Sequence, residues 1–123
     1  MMNYRCITNN PMVYKKNLPF MEFVEGIPLD LFIIIKNEIL KGHKLITHPL
    51  TSSLTPNYNP YKTVFLSRKR KYDIDIESLR IIDNAIKYTN DLIKNHHIPE
   101  WDEKSLEDFQ IIDFDIIKEF LDY

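Results

Sequence analysis

Residues 20–47, FMEFVEGIPLDLFIIIKNEILKGHKLIT, decide the fold. Residues 20–24, FMEFV, read as a strand, and Glu25-Gly26 stops them. Pro28 then stands where a first helical residue loses nothing by lacking an N–H. From there to Lys41, the side chains of Leu29, Phe32, Ile33, Ile35, Ile39 and Leu40 wrap much of a helical circumference, which predicts a largely buried helix. Gly42 sits at the position of a C-terminal glycine cap, and Lys41 suits the last turn. Residues 44–47 follow at once as another strand. A strand, a helix and a strand joined this closely predict parallel pairing through a right-handed crossover.

Working outward, residues 4–8 (YRCIT) read as a first strand, stopped by Asn9-Asn10-Pro11. Asn10 suits a helix cap and Pro11 a first helical position, which predicts a short helical turn over 11–16. On the other side, residues 48–62 are crowded with Ser, Thr, Asn and Pro, and residues 63–66 read as a fourth strand. The loop is long enough to return that strand in either direction. Residues 68–75 are a polar turn. Residues 76–95 are an amphipathic helix with Leu79, Ile82, Ile86 and Ile93 along one face, and Asp75 with Ser78 offers its cap. Beyond Trp101-Asp102, the residues Leu106, Phe109, Ile112, Ile116, Phe120 and Leu121 keep helical spacing, with Asp113 placed to cap a break between two helices. The expected architecture is a single α/β domain over 1–123. It has three layers, a mostly parallel four-stranded sheet and a helical C-terminal region.

The totals narrow the function. A net charge of −2 gives no pull towards nucleic acid or an anionic membrane, so neither is expected as a partner. The run Arg68-Lys69-Arg70-Lys71 reads as a solvated strand end or turn. Cys6 is the only cysteine, so no internal disulfide can form, and its apolar setting suits a small buried hydrophobe. No apolar run approaches a membrane span and no secretory signal is visible, so a cytoplasmic protein is expected. With two glycines, neither a phosphate loop nor a dinucleotide fingerprint can be built. His96-His97 project about 100° apart on a helix, and no Cys/His set has ligand spacing, so no metal and no cofactor are expected.

A site is expected at the carboxyl ends of the strands, where open α/β sheets bind ligands. The first strand ends in Thr8-Asn9-Asn10, and the strand after the long helix ends in Thr47-His48, followed by Thr51-Ser52-Ser53. If both strands run parallel, these segments share one rim. The loop would then bring Asn57, Asn59, Tyr61 and Lys62 over it. These amides, hydroxyls, one imidazole and one ammonium suit a polar or anionic small ligand, or a polar protein surface. His48 is the candidate acid/base. A second reading stands beside this one: Thr and Asn at strand ends also satisfy their own backbone through caps and turns. A serine nucleophile fits poorly, because no Gly-x-Ser-x-Gly elbow exists.

Three segments carry a resemblance: Thr8-Asn9-Asn10-Pro11, the nonapeptide GHKLITHPL over 42–50, and the heptapeptide PNYNPYK over 56–62. With them, and with its length, the chain resembles the GrdX family, small proteins encoded with the glycine, sarcosine and betaine reductase systems of anaerobic amino-acid fermenting bacteria. The resemblance implies an accessory protein of that metabolism. It implies no reaction, cofactor or catalytic residue. The leading expectation is a protein that binds a polar small ligand or a reductase subunit at the rim. Two others compete with it. One is a small enzyme on an anionic metabolite, with His48 as acid/base and Lys62 as anion partner. The other is an interaction module docking through Phe114, Phe120 and Tyr123.

Overall fold

A computed structural model describes residues 4–50, 59–95 and 100–118. The elements run β1 (Tyr4–Thr8), α1 (Pro11–Tyr14), β2 (Met21–Phe23), α2 (Pro28–Leu40), β3 (Thr63–Ser67), α3 (Ile76–Asn95) and α4 (Glu103–Ile117). Among the described residues the sheet has three strands in the order β2-β1-β3. β1 pairs parallel with β2 and antiparallel with β3, where Thr8 faces Thr63 and Tyr4 faces Ser67.

The expected four-stranded, mostly parallel sheet is therefore corrected to a three-stranded mixed one. Residues 44–47 do reach the outer edge of β3, but they make only an isolated antiparallel bridge, Leu45 to Leu66. The ladder stops for a local reason. The Ser67 N–H donates to the Lys44 carbonyl (2.8 Å), and the Ile46 and Thr47 N–H groups both converge on the Phe65 carbonyl (2.9 and 3.3 Å). The Phe65 N–H is then taken by the Thr47 hydroxyl (2.9 Å), so a side chain replaces the next backbone rung. Pro49 has no N–H with which to resume. The segment is antiparallel to β3, so it runs in the same direction as β1, two places away from it.

Side-chain alternation along the strands sorts the core onto two faces. Ile7, Val64 and Leu66 pack with Leu31, Phe32, Ile35 and Ile39 of α2 and with Ile82 and Ala85 of α3. Cys6 and Phe65 point the other way and pack with Val13 of α1 and Ile117 of α4. Helices thus cover both faces. Thr8 and Thr63 share the second face by the same alternation, which brings their hydroxyls to α4. Two details differ from the sequence reading. Ile33 and Leu40 are exposed rather than buried. Residues 103–117 form one unbroken helix, with Asp113 inside it rather than at a break.

The Asn10 and Asp75 caps follow the sequence, and the cap at Asp102 is an addition to it. The Asn10 side chain accepts from the Met12 N–H at the start of α1 (3.0 Å). Asp75 accepts from the Ser78 N–H (3.0 Å), and Asp102 from the Ser105 N–H (2.8 Å). Gly42 does more than end α2. Its φ is +110°, its carbonyl accepts from the Lys71 N–H (3.0 Å), and a Cβ there would fall on the Lys71 carbonyl. The end of α2 is thereby clamped to the turn that follows β3.

Gly42→Ala should destabilise the fold by about 2 kcal/mol or more, from the left-handed backbone and the collision together. Urea unfolding checks this, with a lower midpoint and an unchanged slope expected.

Candidate functional site

Antiparallel pairing brings the end of β1 and the start of β3 to one end of the sheet. The chain on either side of that rim consists of Thr8-Asn9-Asn10 and Asn59-Pro60-Tyr61-Lys62. Asn9 joins the two. Its side-chain carbonyl accepts from the Lys62 N–H (2.7 Å), and its amide nitrogen donates to the carbonyls of Pro60 (2.9 Å) and Gly26 (3.0 Å). Its own N–H donates to the Lys62 carbonyl (3.2 Å). Asn10 does the same towards the helices. Besides capping α1, it donates to the Gln110 carbonyl and to Asp113 Oδ2, both at 3.0 Å.

Below them lies a buried relay of hydroxyls. The Thr8 and Thr63 Oγ1 atoms are 2.8 Å apart, and Thr63 Oγ1 donates to Asp113 Oδ2 (2.7 Å). A carboxylate can only accept, so an ionised Asp113 fixes the polarity. The Asn10 N–H donates to Thr8 Oγ1 (3.0 Å), Thr8 donates to Thr63, and Thr63 donates to Asp113. All four residues are almost wholly buried. The return of the long loop is tied to the same helix. Asn59 donates to the Phe109 carbonyl (3.2 Å) and accepts from the Tyr61 N–H (2.9 Å), while Gln110 donates to the Tyr61 hydroxyl (3.1 Å).

Lys62 is the cation of the rim, with 1% of its surface exposed. Burial pushes its ammonium down to about 8, and the Asp113 carboxylate only partly offsets that. Cys6, on the same face, is fully buried. Burial, with Asp113 adding to it, pushes its thiol up to about 12, which leaves it protonated and unreactive at neutral pH.

The predicted residues therefore divide. Thr8, Asn9, Asn10, Asn59, Tyr61 and Lys62 converge on one rim. Thr47 sits on the edge of β3, with its hydroxyl spent on the Phe65 N–H. His48 is exposed, and its Nδ1 accepts from the Leu50 N–H (3.1 Å), a contact within its own turn. Thr51, Ser52, Ser53 and Asn57 lie outside the described residues, as do His96 and His97. Of the proposed docking patch, Phe114 is partly buried against the second core cluster, and Phe120 and Tyr123 lie outside the described residues. Among the described residues no three His, Cys, Asp or Glu side chains gather as a metal would require.

Asp113, Gln110 and Thr63 belong to the rim and were missed as site residues. The available signal was the helical phase of Asp113: it lies among Phe109, Ile112 and Ile116, where a solvated acid is out of place.

The chain matches the family described as GrdX-like protein over residues 5–122. It belongs to the GrdX-like protein family. No curated protein and no solved structure matches it. No helix among the described residues is long and apolar enough to cross a membrane.

Asn10→Ala removes a helix cap and a donor to a buried carboxylate, and should cost roughly 2–4 kcal/mol in urea unfolding. Lys62 gives a pH signature. Its pKa is lowered on folding from 10.5 to about 8, so between those values the unfolded chain holds the proton that the folded chain has lost. Stability due to this group then rises with pH across that window, by roughly 3 kcal/mol at most. Unfolding midpoints of wild type and Lys62→Met, measured from pH 7 to 10, should show the wild type gaining on the variant.

Proposed function

We propose that this GrdX-like protein is an accessory protein of glycine, sarcosine or betaine reductase metabolism that acts by binding. Its binding group is Lys62, and its ligand carries an anion such as the carboxylate of a small amino acid or its derivative. The observation that supports this is the division of labour at the rim. The side chains of Thr8, Asn9 and Asn10 are committed to internal hydrogen bonds, so they act as framework. Lys62 is a cation held in a setting that penalises its charge. A strongly perturbed titratable group at the end of a long loop is a mark of a functional site.

A reductase subunit presenting a carboxylate is the alternative occupant of the same rim.

Thermal-shift and calorimetric titrations with glycine, sarcosine, betaine, acetyl phosphate and simple carboxylates test the proposal. Stabilisation by at least one of them is expected in the wild type and not in Lys62→Met. Affinity should weaken as pH rises through about 8, where the free protein loses the ammonium charge. No response to any compound, together with capture of purified reductase subunits by the wild type but not by Lys62→Met, would move the assignment to the protein partner.

A further inference from the structure

The opposite end of the sheet carries a second polar feature with different chemistry. A cleft of about 360 Å³ is lined by Lys41, Arg70, Lys71 and Tyr72. It lies between the end of α2 and the turn after β3, the two segments clamped by the Gly42–Lys71 contact. That turn is held further by Ser67, whose hydroxyl donates to the Lys69 carbonyl and accepts from the Lys44 N–H, at 2.9 and 2.8 Å. The His43 ring nitrogen Nδ1 is 2.8 Å from the Ser67 carbonyl. The backbone beneath the cleft is therefore fixed while its side chains reach into solvent.

Three of the four lining residues are cations. Lys41 pairs with Glu38 (2.9 Å), and Glu38 is also held by Arg5, so that carboxylate is engaged on the inner side. Asp75 caps α3, where it accepts from the Ser78 N–H and hydroxyl, at 3.0 and 2.6 Å, and Lys44 and Lys71 also attract its carboxylate. No ion pair engages Arg70 or Lys71 among the described residues. The negative end of the α2 dipole lies close by, but it is largely quenched. The Asn37, Glu38, Ile39 and Gly42 carbonyls already accept from the Lys41, Gly42, His43 and Lys71 N–H groups. Tyr72 is fully exposed at 108%, so its ring packs against nothing among the described residues.

We propose that this cleft binds the phosphoryl group of a small phosphorylated ligand, with Arg70 and Lys71 on the oxyanion, Lys41 at the inner wall and the Tyr72 ring against the organic part. A guanidinium fork and neighbouring ammonium groups match the charge and the several oxygens of a phosphoryl group. A cleft of this volume suits a phosphate with one ring-sized substituent. An exposed aromatic ring beside the cations supplies a stacking face for that substituent. The site is independent of the Lys62 rim.

Proton–nitrogen correlation spectra of the full chain, titrated with pyrophosphate and separately with adenosine diphosphate, test it. Both probes should shift the amides of Gly42 and residues 70–72 saturably, with the nucleotide binding more tightly. Arg70→Gln/Lys71→Gln should weaken both probes at least tenfold. Tyr72→Ala should remove the advantage of the nucleotide and leave pyrophosphate unchanged. Lys87→Gln, an exposed charge on α3, should leave both unchanged. Dispersed shifts at many lysines, or binding indifferent to the Arg70/Lys71 variant, would overturn the site. A short single-stranded oligonucleotide binding more tightly than either probe would overturn the small-ligand assignment in favour of a nucleic-acid surface.

Discussion

The carboxylate of Asp113 is the constraint on which the second face of the sheet depends. It is buried at the end of the sheet, and a buried charge is tolerated only where its partners are supplied. The apolar cluster on that face is small, built on Cys6, Val13, Phe65 and Ile117. The opposite cluster recruits most of α2 and α3. The polar chain from Asn10 through Thr8 and Thr63 to Asp113 therefore has a large share in fixing α4. It also fixes where the loop returns, because Asn59 and Tyr61 are bonded to the same helix one turn earlier. Network bonds of this kind are directional and specify one register, which apolar contact alone does less well.

The antiparallel direction of β3 has a consequence for chemistry as well as packing. It sends the loop return to the end where β1 stops, and the basic turn to the end where β1 starts. Each end then resolves its charges differently. At the rim, Lys62 and Asp113 are taken out of water and depend on fixed partners. At the other end, Arg5 bridges Glu22 and Glu38, and Arg68 lies over the Phe20 ring (4.4 Å). Glu38 pays for its partial burial but is held below the usual carboxylate range by Arg5 and Lys41. Remaining cations are left in solvent. The chain is mildly acidic in sum because residues 100–115 carry seven carboxylates against Lys104 alone. Net charge therefore conceals a positive end, and local clefts feel the local field.

How much of this was legible in the sequence follows from the range of each interaction. Helices and caps were readable, because Asn10 with Pro11, Asp75 with Ser78, and Gly42 act within a few residues of themselves. Strand positions were readable from β-formers. Partner choice was not. Residues 44–47 have the composition of a strand, but whether they extend a ladder turns on the Thr47 hydroxyl intercepting the Phe65 N–H, an event between residues 18 apart. The parallel neighbour of β2 proved to be β1, reached through the short α1. Asp113 was misplaced for a related reason. An acid after two isoleucines looks like a helix stop, and only the distant Thr63 and Asn10 make it a buried acceptor.

The same distinction sorts the rim residues by role. Asn and Thr side chains at strand ends attract functional readings because they can hydrogen-bond a ligand, but that capacity is finite. Asn9 commits its side-chain carbonyl and both amide protons to three backbone groups on two segments, and Asn10 commits its own to α1 and α4. What they leave for a ligand is the shape and field of the rim. Lys62 differs in kind: burial lowers its pKa, and the Asp113 carboxylate partly offsets that. The rim is thus a frame of satisfied amides and hydroxyls around one buried cation, and under the proposed function that frame would hold the cation in place for an anion.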